Sequence, residues 1–588
     1  MLEDKDLVSI QEVRTKVEKA YAAWLKYRTF TQEQVDAIVE RMAAAGRANA
    51  QRLAEMAVEE TGYGNVKDKI VKNMLNADFL ARKMRGMKTI GLLRDVPEER
   101  MVEYAVPVGV VAAILPTTNP TSTAIYKILI SLKAGNAVVL SPHPRAVRST
   151  CTTADLLYRA ALEAGAPQEI IQCLGNASID GTNALMRHER TGVILSTGGH
   201  GIVRAAYSSG KPAFGVGPGN VPVLIERTAD VADAIAKVIE GKSFDYGTVC
   251  SSEQAIVVEE PLKERVLAEL KAGKAYFCNA EQKQALGRLL VTPNWSINPA
   301  CVGQSPTKIA SMAGFSVPPE TSIIVVELDG VGKQHPLSME KLSPVLAAYW
   351  VKDFAAAMDT CESLLRFGGL GHTCAIYSKD DTRIRQYAQR MPANRVLVNT
   401  PAPQGSTGIT TNVFPSMTLG CGAAAGNITS DNVGPQHLYN IKRLAYVVRT
   451  PAEAFQSSPV APPPKVAAAA VSGIAADVVD RFLSRRGTAP VINCPVAPVP
   501  SAAPTAPVPS APAAAPSCGC TTCAHPAPAA EKPAATAPPP VIVDFVCEAD
   551  VRDAIKQSRK IHIGPKTIVT PSARDLATPS DILVLTQR

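Results

Sequence analysis

The chain has no apolar stretch of 18 residues free of charge or proline, and no apolar run of signal-peptide type near its start. Neither membrane spanning nor export is therefore expected, and the protein reads as intracellular and cytoplasmic. No basic run is interleaved with aromatics, aromatic residues make up only 5% of the 588, and a formal charge of +8 is modest over that length. A nucleic-acid partner is excluded on that ground. Thirteen cysteines are present, but they are spread irregularly through a long chain without an export signal. That pattern argues against a disulfide framework and for free thiols, with a few left over for catalysis or metal binding. The G-x-G-x-x-G fingerprint at a first strand–helix turn is also missing, so a dinucleotide, if one binds, binds in a nonstandard way.

What is present divides near residue 452. Up to there, helical patterns such as Thr31 to Glu60 alternate with short β-rich runs: "GVVAAIL" (109–115), "NAVVLS" (136–141) and "QAIVVE" (254–259). Apolar runs separated by helices predict buried parallel strands in an α/β fold, and the length calls for more than one domain. Three glycine-rich turns follow expected strands: "STGGHG" (196–201), "GVGPGN" (215–220) and "FGGLGH" (367–372). Glycine lets backbone approach a ligand closely, although each turn taken alone is an ordinary tight turn. One further stretch, "SFDYGTVCSSEQ" (243–254), sets Cys250 among small and polar residues. Taken alone, that thiol is a small core residue.

Read together with "LPTTNPTSTAIYK" (115–127), "LSPHPRA" (140–146) and "MEKLSPVLA" (339–347), these stretches resemble, in order and separation, the aldehyde dehydrogenase superfamily. The resemblance is to its CoA-acylating branch, which includes the aldehyde dehydrogenase half of the bifunctional aldehyde–alcohol dehydrogenases, and it covers roughly residues 5 to 450. It implies an α/β fold with a Rossmann-like cofactor domain (1–225, with part of an oligomerisation element near 88–105), an α/β catalytic domain (226–430) and a return segment that completes the oligomerisation element (431–452). It also implies a homo-oligomer, dimer or tetramer.

By the same resemblance Cys250 is the catalytic thiol. Hydride transfer from an aldehyde needs a tetrahedral carbon whose oxygen carries negative charge, and a thiolate makes one by adding to the carbonyl. The implied donors to that oxygen are the Asn119 side-chain amide and the Cys250 backbone N–H. Loss of such a donor costs roughly 100-fold or more in rate. Without the motifs, Asn119 is a turn residue before Pro120. His372 matches a histidine proposed to assist proton transfer, and an imidazole titrating near neutrality suits that task; its alternative is a cap on the glycine-rich turn. Where hydrolytic relatives carry a water-activating glutamate, this chain has Val216, and its turn contains no carboxylate. CoA thus becomes the expected acyl acceptor. Glu340 matches the glutamate that holds the nicotinamide ribose. Thr117, Ser141, His143, Gly198, Gly199 and Gly217 complete the implied cofactor contacts, with Ser141 standing where hydrolytic relatives have a lysine. No charged residue is evident to select a 2′-phosphate, which favours NAD and leaves NADP as the alternative. A hydrolytic aldehyde dehydrogenase and a non-catalytic scaffold are the competing readings. Val216 disfavours the first, and the set Asn119, Cys250 and Glu340 disfavours the second.

Beyond 452 the composition changes. Residues 488–540 hold 15 prolines, and Glu531 and Lys532 are their only charged side chains. Such a stretch predicts a disordered Pro/Ala-rich linker. Before it, within a segment 453–487, the run Val466 to Gly487 has apolar residues at 471, 474, 475, 478, 479 and 482, the spacing of an amphipathic helix. Helices of this kind on flexible linkers resemble the encapsulation peptides of bacterial microcompartments, so shell proteins are an expected partner and the microcompartment lumen an expected location. The alternative is a helix that folds back on its own catalytic body. The final segment, 541–588, contains Cys547 to Ala577, which reads as a helix, a short strand and a turn. Cys518, Cys520, Cys523 and His525 lie within eight linker residues. They suit zinc or iron–sulfur chemistry but have no fold to hold them, and a redox-sensitive thiol cluster reads equally well, so no metal site is assigned.

Overall fold

The computed structural model describes residues 4–455, 542–557, 559–577 and 582–586. The amphipathic run 466–487 and the cysteine-rich linker lie outside them. The chain divides into two compact units, Met1–Ala461 and Pro462–Arg588. No described helix is long and apolar enough to cross a membrane.

The first unit opens with helices, the earliest of which start on side-chain caps from Asp4 and Thr31. An antiparallel hairpin follows, β1 (Gly91–Val96) and β2 (Met101–Pro107). Next come β3 (Val110–Ile114), β4 (Ala137–Ser141), β5 (Ile171–Cys173), β6 (Thr191–Thr197) and β7 (Ala213–Val216), joined by helices. These form a parallel sheet in the order β5-β4-β3-β6-β7. Every residue of β3 and β4 is buried, as expected of a parallel sheet covered on both faces.

The chain then crosses through Gly217–Asn220 into a second parallel sheet. Its strands are β8 (Val221–Ile225), β9 (Glu253–Glu259), β10 (Tyr276–Phe277), β11 (Ile324–Glu327), β12 (Val345–Val351), β13 (Gly371–Tyr377) and β14 (Ala393–Val398). Their spatial order is β10-β11-β12-β9-β8-β13-β14. Finally β15 (Tyr439–Ala445) returns to pair with β2. This makes a three-stranded arm that leaves Leu92, Ile441 and Leu444 exposed.

In the second unit β16 (Ile542–Val546), β17 (Ile561–Val569) and β18 (Leu583–Leu585) form a small parallel sheet. Two helices, Glu548–Lys556 and Pro571–Ala577, connect the strands. Val546, Val551, Ala554, Ile561, Ala573, Ala577 and Ile582 make its core. The turn expected after the strand is instead a helix, started by Pro571 at its first position and by the Thr570 Oγ1, which accepts from the Ala573 N–H at 3.3 Å.

Candidate active site

Residue pairing across the first sheet places Ser141, Ile114, Ser196 and Gly215 in one row at the carboxyl ends of β4, β3, β6 and β7. The turns carrying Thr117 and Asn119, His143, Gly198 and Gly199, and Gly217 therefore all leave the sheet at one edge, the edge at which open α/β sheets bind ligands. From the second sheet, Cys250 comes just before β9, Glu340 just before β12 and His372 at the start of β13. The amino-terminal edge of the second sheet thus meets the carboxyl edge of the first, and Gly217–Asn220 links them.

Asn119 occupies the N-cap position of the helix Pro120–Lys133, where asparagine ordinarily bonds its own helix, yet its side chain makes no such bond. Its Nδ2 donates instead to the Thr248 carbonyl at 3.0 Å and to Thr118 Oγ1 at 3.2 Å. Its Oδ1 accepts from Lys72 Nζ at 2.7 Å. An ammonium can only donate and a backbone carbonyl can only accept, so this network fixes which end of the amide faces the cysteine loop.

That loop is held by an unusual backbone. Asp245, Tyr246 and Gly247 all have positive φ, at 47°, 51° and 75°, a conformation costing about 1–2 kcal/mol for each non-glycine residue. At Gly247 a Cβ would also lie 2.8 Å from the Ser343 carbonyl oxygen. Asp245 is completely buried and pins the turn. Its Oδ1 accepts from the Asn65 N–H at 2.9 Å. Its Oδ2 takes Thr248 Oγ1 at 2.6 Å, Lys69 Nζ at 3.0 Å and Lys72 Nζ.

Gly219 joins the remaining groups. A Cβ on it would sit 2.1 Å from the Cys250 carbonyl oxygen and 3.2 Å from His372 Cγ, so Gly219 is wedged between these residues. Its N–H donates to Glu340 Oε1 at 3.2 Å. Although Cys250 keeps part of its surface open, the dense protein around it pushes its thiol up to about 12, with the Glu340 carboxylate adding and Arg395 partly offsetting. Burial likewise raises Glu340 to about 8. His372 does not titrate near neutrality as its residue type led us to expect. Burial and then the Arg395 guanidinium hold its imidazole neutral, well below the usual range. Its Nδ1 pairs with Thr373 Oγ1 at 2.9 Å, and its buried Nε2 has no partner among the described residues.

The remaining positions differ in character. Ser141 is buried with its hydroxyl 2.8 Å from Thr182 Oγ1. His143 is exposed and accepts from the Arg145 N–H at 3.1 Å. A Cβ on Gly199 or Gly217 would meet no protein atom within 4 Å, whereas one on Gly198 would meet the Ile202 side chain. Val216 is buried and pairs with Thr197. A largely apolar cleft whose lining includes Val71, Lys72, Leu75, Phe244, Val249 and Met417 opens beside the cysteine loop.

Sequence reasoning missed Lys69, Lys72, Asp245 and Arg395. Asp245 lay within the quoted cysteine stretch, five residues before Cys250, but nothing local marks it as the partner of lysines from residues 66–74.

The model of the aldehyde dehydrogenase family matches residues 6–277. An acetylating aldehyde dehydrogenase from Geobacillus thermoglucosidasius shares 50% identity and superimposes with a TM-score of 0.75, over 76% of this chain and 99% of that one. The chain belongs to the aldehyde dehydrogenase family. A propionaldehyde dehydrogenase from the fucose-utilisation bacterial microcompartment of Clostridium phytofermentans shares 30% identity at a TM-score of 0.67, over 74% and 97% of the two chains. The bifunctional aldehyde-alcohol dehydrogenase of Escherichia coli strain K12 is 44% identical over 445 residues, 75% of this chain and 50% of that protein. The chain therefore spans about half the length of that bifunctional relative.

Proposed function

We propose that this aldehyde dehydrogenase is CoA-acylating and converts a short-chain aldehyde such as acetaldehyde or propionaldehyde, with CoA and NAD, to acyl-CoA and NADH. The observation that carries the reading is the 215–220 turn, which holds no carboxylate and presents buried Val216 where hydrolytic relatives need a base. It is supported by the acetylating relative from Geobacillus.

The residues present fit a nicotinamide dinucleotide. Ser196 Oγ and Thr197 Oγ1, beside the 198–199 turn, are buried hydroxyls without a partner among the described residues, and the backbone at Gly199 and Gly217 is open to close approach. Gly198, Gly199 and Gly217 would border its phosphates. Thr117, Ser141 and His143 would line its adenosine side, and Glu340 its ribose. When bound, the dinucleotide supplies the hydride acceptor.

The protein's own residues do the rest. Cys250, once deprotonated, adds to the aldehyde carbonyl and forms the C–S bond of a thiohemiacetal. Asn119 Nδ2, on giving up its bond to Thr118 Oγ1 or to the Thr248 carbonyl, and the Cys250 N–H donate to the oxygen that gains charge. Oxidation leaves a thioester on Cys250. The CoA thiol gives its proton to a base and attacks that thioester, releasing acyl-CoA and restoring the cysteine. His372 is the candidate base on position: its imidazole is held neutral and its Nε2 has no partner among the described residues, so any proton it takes is passed on rather than kept. The apolar cleft beside Val249 suits a short alkyl group.

Two further assignments belong to this reading. The exposed apolar arm formed by β1, β2 and β15 is the contact through which copies assemble into a dimer or tetramer. The C-terminal extension delivers the enzyme to a microcompartment shell through the amphipathic run 466–487, in keeping with the microcompartment relative from C. phytofermentans. Turnover measured with acetaldehyde and propionaldehyde, with and without CoA, tests the central claim. NADH formation that requires CoA and yields acyl-CoA is expected. Free acid released at the same rate without CoA would overturn the claim.

A further inference from the structure

We propose that Lys72 is a positioning residue for the oxyanion donor: with its ammonium anchored on Asp245, it orients and polarises the Asn119 amide so that the N–H faces the reacting carbonyl. The inference rests on the thiohemiacetal reading above and names a residue that acts through Asn119.

The geometry is specific. Lys72 Nζ is almost completely buried and meets Asn119 Oδ1 at 2.7 Å, Thr248 Oγ1 at 3.2 Å and the Asp245 carboxylate. It also lies 5.4 Å from the centre of the Phe244 ring. Burying an ammonium is costly unless it is paired. Asp245 supplies that pairing and holds Lys69 as well, which donates to the Thr118 carbonyl at 2.9 Å. Asp68 stands behind, with its Oδ2 accepting the Asp245 N–H at 2.7 Å. One carboxylate therefore fixes the backbone before Asn119, through Lys69, and the Asn119 side chain, through Lys72. The same carboxylate fixes the turn that leads to Cys250.

A cation on Oδ1 has two effects. It forbids the flipped amide, which would point Nδ2 at an ammonium. It also draws electron density toward the carbonyl and leaves the N–H a stronger donor to a developing oxyanion, as expected of linked, charge-assisted hydrogen bonds in a dry site. Lys72 is not needed to neutralise Asp245, because Lys69 does so independently.

The test is a double-mutant cycle in the full-length protein, Lys72→Met with Asn119→Ala, reading kcat, both KM values and thermal stability. Methionine keeps the unbranched chain and removes the charge. Lys72→Met is expected to lower kcat about tenfold, less than the roughly 100-fold expected of losing the donor itself, with the KM for aldehyde and for NAD within about twofold of wild type. In the Asn119→Ala background the same substitution should change kcat less than twofold, because the group it acts through is gone. An equal tenfold loss in both backgrounds would mean a structural role and overturn the proposal. Lys72→Gln, which keeps a donor for Asn119 and drops the charge, gives the same cycle with the same criterion if the methionine variant does not fold. Wild-type kcat in Asn119→Ala alone would refute the oxyanion reading and this inference together. Full loss in Asn119→Ala with additive behaviour of Lys72→Met refutes this inference alone.

Discussion

Replacing Gly219 by alanine puts a methyl carbon 2.1 Å from the Cys250 carbonyl oxygen and 3.2 Å from the His372 ring. Real Cβ contacts essentially never fall below 3.0 Å, so the gap between the 215–220 turn and the cysteine loop must open by about 0.9 Å. The first obstacle is backbone and cannot rotate away. Retreat is also restricted, because the Gly219 N–H is tied to Glu340 and Asp245 anchors the turn before Cys250. A displacement near 1 Å between reacting groups costs on the order of 100-fold in rate. Gly219→Ala is therefore expected to lower kcat for CoA-dependent NADH formation at least about 100-fold. Overpacking of this kind also destabilises by about 1–3 kcal/mol, visible as a lower melting temperature. Gly217→Ala is the internal comparison, since its methyl would meet no protein atom within 4 Å. It should keep the wild-type melting temperature and change chiefly the KM for NAD. A Gly219→Ala enzyme with wild-type kcat and melting temperature would refute the wedge between Cys250 and His372.

Burial pushes the Cys250 thiol up to about 12, so in the free enzyme the reactive thiolate is scarce at pH 7 and grows about tenfold per pH unit until it levels off near that value. Alkylation of the Cys250 peptide by iodoacetamide, followed by mass spectrometry, should show this slope, and a plateau by pH 8–9 would contradict it. Val216→Glu should introduce measurable free-acid release without CoA, read by quantifying carboxylate. Strict CoA dependence in a folded, NAD-binding variant would show that the carboxylate at 216 is not what separates the two chemistries. Truncation after residue 455 should leave kcat within about twofold while abolishing co-localisation with a shell, because every proposed catalytic and cofactor residue lies before that point. Lost turnover would assign the extension a part in catalysis.

Chemistry was far more legible in the sequence than the means of holding it. Cys250 and Asn119 stand out because the proposed reaction demands a thiol and an amide in motifs of fixed order, and the alternating apolar runs marked the buried strands of both sheets. Lys69 and Lys72 could not be found this way. In "VKDKIVKNM" they read as the solvated face of a short amphipathic helix, and only the fold, bringing Asp245 in from 173 residues away, makes them interior. His372 was misjudged in its protonation for a related reason. Its neutrality comes from burial and then from Arg395, which residue type does not encode. The helix at Pro571–Ala577 was read as a turn because proline followed by small polar residues serves both as a turn and as a helix start.

The Asp245 carboxylate also bears on the order in which the molecule matures. Its donors come from residues 65–72 and from Thr248, and the two groups lie on opposite sides of the whole first sheet in the chain. Closing so long a loop is entropically slow. A refolding chain can build the first sheet and most of its helices from nearer contacts while Asn119 and the cysteine turn are still unaligned. Regained turnover should consequently trail the return of helical signal, which makes catalysis itself the reporter of the last step in assembly.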